Sequence, residues 1–198
     1  MDLWPQGPIL FFGMRTAIAY WLIPEPARSF FEKVIVDLAR RYDGPVFEPH
    51  LTVHIGADAA ESAKKVISKA ALGCEPIELE VLDVYHSDEF TKTLFVRLAP
   101  NTKLQQLHDR IRNAAQNSSE YRLEPHMSLL YKKMPLLKRR ELAESIKLPF
   151  SRIVFDSLKA VQCASPTLNR KDVEAWRVLA AKSFSGTGEG RKFLRVTA

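Results

Sequence analysis

Two short stretches of the sequence follow almost the same pattern. Residues 47–53 read FEPHLTV and residues 123–129 read LEPHMSL. Each stretch is an apolar residue, Glu-Pro-His, an apolar residue, a hydroxyl-bearing residue and a further apolar residue. Side chains on a β-strand alternate between its two faces. Two such strands therefore need a hydrophobic core on one side, and on the other side they can share one polar cleft.

The residues on the polar faces suggest a particular chemistry. His50 is followed two positions later by Thr52, and His126 is followed in the same way by Ser128. Histidine titrates near neutral pH, so one imidazole can accept a proton while another donates one. In phosphate-ester hydrolysis the attacking and leaving oxygens lie on opposite sides of phosphorus, and the non-bridging oxygens need hydrogen-bond donors. The four side chains therefore predict a symmetric site for such a reaction.

Strict alternation also predicts on which face of the strand the neighbours of the first histidine lie. Leu51, Val53 and Ile55 are expected to enter the core, whereas His54 is expected on the same face as His50. His54 is interpreted as a residue at the strand end, close to the cleft.

Other kinds of catalytic site fit the sequence less well. No Asp, Glu or Cys accompanies His50 and His54, and Leu130 occupies the position in the second motif that matches His54. We therefore expect no metal site. Ser128 lies within a strand and lacks the GxSxG turn of a nucleophilic serine. The sequence has no phosphate-binding or dinucleotide-binding glycine motif, so no cofactor is expected.

Composition is that of an ordinary globular protein. The chain has 198 residues, of which 46% are hydrophobic and 26% charged, and this suits one or two compact domains. Its net charge of +6 comes from scattered basic residues. The densest basic run, KKMPLLKRR at 132–140, is more typical of a solvated turn and helix start than of an RNA-binding patch.

Cysteine usage and hydropathy suggest a compartment. Cys74 and Cys163 are far apart in sequence and form no CxxC motif, which predicts reduced thiols in a cytoplasmic protein. Residues 1–13 lack the basic region and the long apolar run of a signal peptide. No stretch of about 20 apolar residues is present, so we expect no membrane span.

Periodicity and turn signals predict the element order β-α-β-α-β-β-α-β-α-β-β. Asp58 is the predicted cap of the second helix, Asn101 the cap of the third, and His108 a rim residue on that third helix. The link SPTLNRKD, 165–172, is predicted to be a loop. The predicted strands are near 16–23, 47–55, 76–86, 92–99, 126–131, 150–162 and 174–184, with a short helix near 136–146. This order indicates an α+β fold with largely antiparallel sheet, arranged as two pseudo-symmetric lobes around a cleft.

At the paired motifs the chain resembles the two-histidine (2H) phosphoesterase superfamily, which is defined by two His-x-Thr/Ser motifs. Within it, the sequence is most similar to the plant-type cyclic phosphodiesterases. The shared segments are GPVFEPHLTV, EPHMSLLY, WLIP at Trp21–Pro24 and EAW at Glu174–Trp176. The similarity covers approximately residues 15–184. Residues 1–14 form an N-terminal extension, and the glycine-rich, charged segment 185–198 is expected to be a mobile tail.

The resemblance implies a bilobal fold in which the two histidines face each other across a cleft. It implies metal-independent opening of a 2′,3′-cyclic nucleotide to the 2′-phosphate, or of ADP-ribose 1″,2″-cyclic phosphate to the 1″-phosphate. By the same resemblance His50 and His126 are the acid/base pair, and Thr52 and Ser128 bind the phosphate. Tyr131 and, as a further candidate, Trp21 lie beside the substrate. The chain departs from the plant pattern at His54 and in lacking the extra cysteines.

Two other functions stay open from the sequence. The first is a phosphodiesterase acting on RNA ends or 2′-5′ linkages, like the RNA-ligase-like branch of the superfamily. The second is a nucleotide-binding module without turnover, against which the intact motifs argue. The expected partner is a small cyclic-phosphate molecule, with RNA ends as the alternative, and the chain is expected to be a monomer that does not bind membranes. The two motifs are too alike to assign the base and the acid.

Overall fold

The computed structural model describes residues 15–57, 59–115 and 120–184. The predicted extension 1–14, the predicted tail 185–198 and the predicted cap Asp58 therefore lie outside the described residues. The strands, β1 to β7, are Arg15–Pro24, Leu51–Gly56, Ile77–His86, Leu94–Leu98, His126–Leu130, Arg152–Ser165 and Arg177–Ser183. The helices, α1 to α5, are Arg28–Tyr42, Ala60–Ala70, Thr102–Ala114, Leu136–Ser145 and Arg170–Glu174, and a short 3-10 helix spans Phe90–Lys92.

Every pairing among the described strands is antiparallel. The strand order is β1-β2-β5-β4-β3-β6-β7, and β1 also pairs with β6, so that six strands close into a ring and β7 adds to β6 outside it. Within the described residues, β2 and β5 pair at Leu51 and Met127, and β3 meets β6 over Ile77–Glu80. These short junctions divide the strands into two groups, β1, β2, β6, β7 and β3, β4, β5. The predicted α+β fold with antiparallel strands in two halves is confirmed.

The helices cover the sheet through apolar faces with helical spacing. In α3 the buried side chains are Leu104, Leu107 and Ile111, together with His108. The predicted cap of this helix is confirmed, since the Asn101 side chain accepts a hydrogen bond from the Leu104 N–H at 2.9 Å. No helix in the described ranges combines the length and the apolar composition needed to cross a bilayer.

The link between β6 and β7 was predicted to be a loop, and this is wrong because it contains the start of α5. Asn169 accepts a hydrogen bond from the Asp172 N–H at 3.2 Å, and the Asp172 carboxylate accepts one from the Asn169 N–H at 3.1 Å. This reciprocal capping box begins a one-turn helix. The Asn-x-x-Asp signature stands in the sequence, but the segment is too short to show helical periodicity.

A bulge in β2 changes the faces that alternation predicts. Tyr20 pairs with His54, but the next residue, Trp21, pairs with Thr52, so β2 has one extra residue, Val53. Val53 and His54 are consequently both fully buried, whereas Ile55 lies on the other face, where it is partly buried beside the hydrophobic cluster that includes Trp21 and lines a cavity. The predictions that His54 shares the face of His50 and that Ile55 is a core residue are therefore wrong.

The third helix supplies the group that satisfies this bulge. His108 is 5% exposed, and its Nδ1 donates to the Val53 carbonyl at 2.8 Å. Its ring also lies edge-on to the His54 ring, with centroids 5.3 Å apart. His108 was predicted at the rim of its helix, but it is a buried partner of the bulge, because a carbonyl displaced from the strand ladder needs a donor elsewhere.

Candidate active site

The short pairing between β2 and β5 brings the two motifs together. Leu51 lies opposite Met127, and both are fully buried. In an antiparallel pair the flanking residues point to the other face, so His50 lies on the Ser128 side and Thr52 on the His126 side of that face. These four residues line one cavity of about 350 Å³. The structure therefore assembles the predicted set from both halves of the sheet, and the roles of its members stay predictions.

Both imidazoles are held by the same local hydrogen bond. His50 Nδ1 lies 2.6 Å from the Glu48 carbonyl oxygen, and His126 Nδ1 lies 2.6 Å from the Glu124 carbonyl oxygen. A carbonyl oxygen can only accept, so each Nδ1 carries the hydrogen. Nε2 is then the nitrogen that can meet a substrate, accepting a proton when the ring is neutral and donating one when it is charged.

His50 lies in an aromatic environment. The Trp21 ring stacks on the imidazole with centroids 3.7 Å apart and planes 13° apart, and the Trp176 ring approaches edge-on at 5.8 Å. The pKa of His50 is lowered to about 4, chiefly by burial and also by the charges of His126 and Lys159, against the opposing effect of the hydrogen bond to the Glu48 carbonyl. His50 is therefore neutral at pH 7.

His126 is less enclosed and has more charged neighbours. Burial also lowers the pKa of His126, as does the charge of Lys92. The hydrogen bond to the Glu124 carbonyl and the carboxylates of Glu124 and Glu89 act in the opposite direction and favour the imidazolium. The two motifs match in sequence, yet their surroundings differ in charge.

The two hydroxyls also differ in their hydrogen bonding. Ser128 Oγ donates to the Thr91 carbonyl at 2.7 Å, whereas no hydrogen bond within the described ranges engages the Thr52 hydroxyl. The Thr52 backbone carbonyl accepts from the Tyr121 hydroxyl at 3.0 Å, which fixes the strand at this point. Thr52 can thus donate to an oxyanion directly, but Ser128 must first turn its proton away from Thr91.

The two predicted substrate-binding aromatic residues both line the cavity. Trp21 is 4% exposed because His50 covers one face of its ring. Tyr131 stacks on Phe47 with centroids 3.9 Å apart. Burial raises the pKa of Tyr131, against a smaller opposing effect of hydrogen bonding with the Ser128 side chain, so the phenol stays protonated at neutral pH.

The cavity also contains residues to which sequence reasoning assigned no role. Trp176 was noted as part of a shared segment, and Lys92 belongs to a polar turn that suggests nothing more than a hairpin link. Cys163 lines the cavity too, but burial raises its pKa to about 11, so its thiol is not a nucleophile at neutral pH. In the part of the chain that the structure describes, no three His, Cys, Asp or Glu side chains converge as a metal site would require.

Comparison with known proteins decides the family. The sequence profile of the 2′-5′ RNA ligase superfamily, which comprises the 2H phosphoesterases, matches residues 24–161, more than half of the chain. The chain belongs to this superfamily. The matched residues include both motifs and all six predicted site residues except Trp21, which lies three positions before the match begins. The resemblance drawn from the paired motifs is confirmed.

Individual relatives from this superfamily agree in sequence and in fold. The chain is 26% identical over 171 residues to a protein named cyclic phosphodiesterase from Arabidopsis thaliana, an alignment that covers 84% of this chain and 94% of the relative. The crystal structure of E. coli LigT with 3′-AMP superposes with a TM-score of 0.57 at 15% identity, covering 88% of this chain and 100% of LigT. A structure described as a phosphoesterase gives a TM-score of 0.56 at 15% identity, with 86% and 99% coverage.

The environment of the two imidazoles predicts the pH dependence of activity. The profile of kcat/KM against pH reports the free enzyme, in which the base must be neutral and the acid protonated. Since burial lowers the pKa of His50 to about 4 and that of His126 below its ordinary value of 6.5, we expect a bell-shaped profile with both limbs below pH 6.5. An alkaline limb at pH 8 or higher would contradict this assignment.

Acid also destabilises the folded state, so the profile of kcat/KM against pH needs a structural control. Between pH 4 and 6.5 the unfolded chain binds a proton at His50 that the folded chain does not, so the free energy of unfolding falls as the pH is lowered. Circular dichroism at each pH separates loss of structure from loss of the neutral base.

Proposed function

We propose that this chain hydrolyses a small cyclic phosphodiester without a metal ion. The substrates proposed are a 2′,3′-cyclic nucleotide, opened to the 2′-phosphate, or ADP-ribose 1″,2″-cyclic phosphate, opened to the 1″-phosphate. The observation that carries the proposal is the β2–β5 junction, which turns two imidazoles and two hydroxyls into one cavity. Superfamily membership and the relative named cyclic phosphodiesterase support a hydrolytic phosphodiesterase.

The reaction uses the two Nε2 atoms in complementary protonation states. One neutral imidazole takes a proton from water as the water oxygen attacks phosphorus. For a 2′,3′-cyclic nucleotide, the bond from phosphorus to the 3′ oxygen breaks, and the other imidazole, entering as imidazolium, protonates that oxygen. Each turnover therefore moves one proton from water to the base and one from the acid to the leaving group. Exchange with solvent restores both rings.

The hydroxyls stabilise the charge that develops on the non-bridging oxygens. Thr52 can supply a hydrogen bond directly, and Ser128 can supply a second one after rotating away from Thr91. A cavity of about 350 Å³ suits a small ligand. Nucleotide binding by LigT, a protein of the same fold, supports a nucleotide-like substrate.

The proposal is tested by incubating the chain with 2′,3′-cyclic AMP in excess EDTA and following the products by phosphorus NMR. We expect 2′-AMP, at the same rate with and without EDTA. Loss of activity in EDTA and its recovery with one divalent ion would overturn the metal-independent mechanism. Binding without turnover would indicate a nucleotide-binding module. A strong preference for RNA, with an affinity that falls steeply with salt, would favour the RNA-end phosphodiesterase.

Removing either imidazole should nearly abolish turnover. General acid or base assistance is worth about 10²–10⁴ in rate, so His50→Gln and His126→Gln should each lose activity on that scale. The double variant should be little worse than either single one, because residues that act as a unit are not additive. His86→Gln, a histidine that does not line the cavity, is the matched control and should keep the parent kcat/KM. Parent rates in one folded single variant would exclude the two-histidine mechanism.

The two hydroxyls should respond differently to removal. Thr52→Val keeps the side-chain shape, and loss of one oxyanion donor should lower kcat by about 10²–10³ without changing the free energy of unfolding. Ser128→Ala also leaves the Thr91 carbonyl without its donor, so it should in addition destabilise the fold by about 1–3 kcal/mol. Steady-state kinetics and urea unfolding of both variants measure this. An unchanged kcat in Thr52→Val would show that the threonine merely lies in the cavity wall.

A further inference from the structure

Each histidine of the pair is connected, through the glutamate two residues before it, to a lysine from another element. The glutamate carbonyl accepts the imidazole Nδ1–H, and its carboxylate binds the lysine. For His50 the glutamate is Glu48, whose two carboxylate oxygens lie 2.6 and 2.8 Å from Lys159 Nζ. For His126 it is Glu124, which lies 3.2 Å from Lys92 Nζ. We refer to Lys159–Glu48 and Lys92–Glu124 as the two lysine–glutamate clamps.

The first clamp is largely buried and carries a second cation. The side chains of Lys159 and Glu48 are 18% and 19% exposed, and Arg28 Nη2 from α1 also reaches Glu48, at 2.7 Å. One carboxylate therefore holds β6, α1 and the segment before β2 together. Arg28 is itself paired with Glu32 at 2.8 Å and with Glu25 at 3.8 Å, so Lys159 is the cation of this group that acts on His50.

The second clamp is more exposed and has two carboxylates for its one lysine. Lys92 lies 3.2 Å from Glu124 and also 3.2 Å from Glu89, whose side chains are 57% and 59% exposed. One cation and two anions leave a net charge of −1 close to His126. Lys92 belongs to the 3-10 helix that also presents the Thr91 carbonyl to Ser128, so this clamp fixes the turn as well as the histidine.

We propose that Lys159–Glu48 and Lys92–Glu124 are positioning pairs for the two histidines, and that the Lys159 ammonium on one side and the two carboxylates around Lys92 on the other make His50 the proton acceptor and His126 the proton donor. The Lys159 ammonium disfavours a positive charge on His50, and the carboxylates of Glu124 and Glu89 favour the imidazolium of His126. This inference rests on the proposed two-histidine hydrolysis, and it explains why each motif has a glutamate two residues before its histidine. Lys159, which does not line the cavity, acts on His50 through Glu48, whereas Lys92 lines the cavity and also holds Glu124.

The charged groups around each ring agree with this assignment. His50 is influenced by Lys159 and by His126, both of which disfavour its protonation. His126 is influenced by Lys92, which disfavours protonation, and by Glu124 and Glu89, which favour it. Burial acts on both rings in the same direction, so it does not by itself distinguish the base from the acid.

The test changes one charge at a time in each clamp. Lys159→Met should move the acid limb of the kcat/KM profile to higher pH, because His50 loses a positive neighbour, and Glu48→Gln should move it to lower pH. Lys92→Met should move the alkaline limb to higher pH, and Glu124→Gln should move it to lower pH. Within each clamp the two variants thus shift one limb in opposite directions. Each should also lower kcat roughly tenfold, with KM nearly unchanged, because ring orientation is loosened.

Two controls separate these effects from a general loss of structure. Lys159→Arg keeps the charge and the donors to Glu48, so it should restore the parent pH profile. Lys103→Met removes a lysine from an ion pair with Glu75 that lies outside the cavity, and it should leave both kinetics and pH profile unchanged. If the four clamp variants lower the free energy of unfolding but leave both limbs in place, the inference is overturned.

A measurement on the imidazoles themselves keeps this inference distinct from the proposed function. The ring-proton signals of His50 and His126 can be titrated by NMR in the protein without substrate, and assigned with the His→Gln variants. We expect the titration midpoint of His50 to rise in Lys159→Met and fall in Glu48→Gln, and that of His126 to rise in Lys92→Met and fall in Glu124→Gln. These shifts should occur whether or not the chain turns over a cyclic phosphate. Turnover with unmoved midpoints would overturn the clamps and leave the proposed function intact. Moved midpoints without turnover would support the clamps and overturn the proposed function.

Discussion

The site depends on the junction between β2 and β5. The described pairing at this junction is Leu51 against Met127, and it is the place where the two halves of the sheet meet beside the cavity. Because both residues are fully buried, their neighbours on each strand must face the other way, into the cavity. A local two-fold relation follows, in which each histidine lies beside the hydroxyl of the other motif. The core thus aligns the polar groups by burying the residues between them.

Burial of the imidazoles has a chemical consequence as well as a structural one. Desolvation disfavours the charged form of both rings, and a hydrogen bond from each Nδ1 to a carbonyl fixes the same tautomer on both sides. In tautomer and in the direction in which desolvation shifts the pKa, His50 and His126 are therefore equivalent. The difference comes from more distant groups: aromatic rings and Lys159 around His50, and two carboxylates with one lysine around His126. The surroundings of two similar motifs thereby favour different protonation states of the two rings, as the proposed hydrolysis needs one neutral and one protonated imidazole.

Local irregularities explain where simple patterns failed. Alternation along β2 placed His54 beside His50, but the extra residue at Val53 turns His54 into the core, where His108 supports the bulge through the Val53 carbonyl. The capping box at Asn169 and Asp172 forms a helix too short for any periodic signal. In both cases side chains make hydrogen bonds to backbone groups that the regular strand or helix pattern does not pair, and such bonds leave little trace in hydrophobic periodicity.

The sequence by itself determined the order of the seven strands and of the first four helices, the α+β class, the superfamily and the two motifs whose histidines and hydroxyls the cavity brings together. These depend on short-range patterns of apolar, polar and turn-forming residues, which act within one strand or helix. Tertiary structure decided which other residues surround the motifs: Trp176 in the cavity wall, and Lys159, Lys92 and Arg28 around the glutamates that precede the histidines. Lys159 lies 111 residues from Glu48, and Lys92 lies 32 residues from Glu124. Electrostatic contacts across such separations depend on how the strands pack, so no local pattern could reveal them.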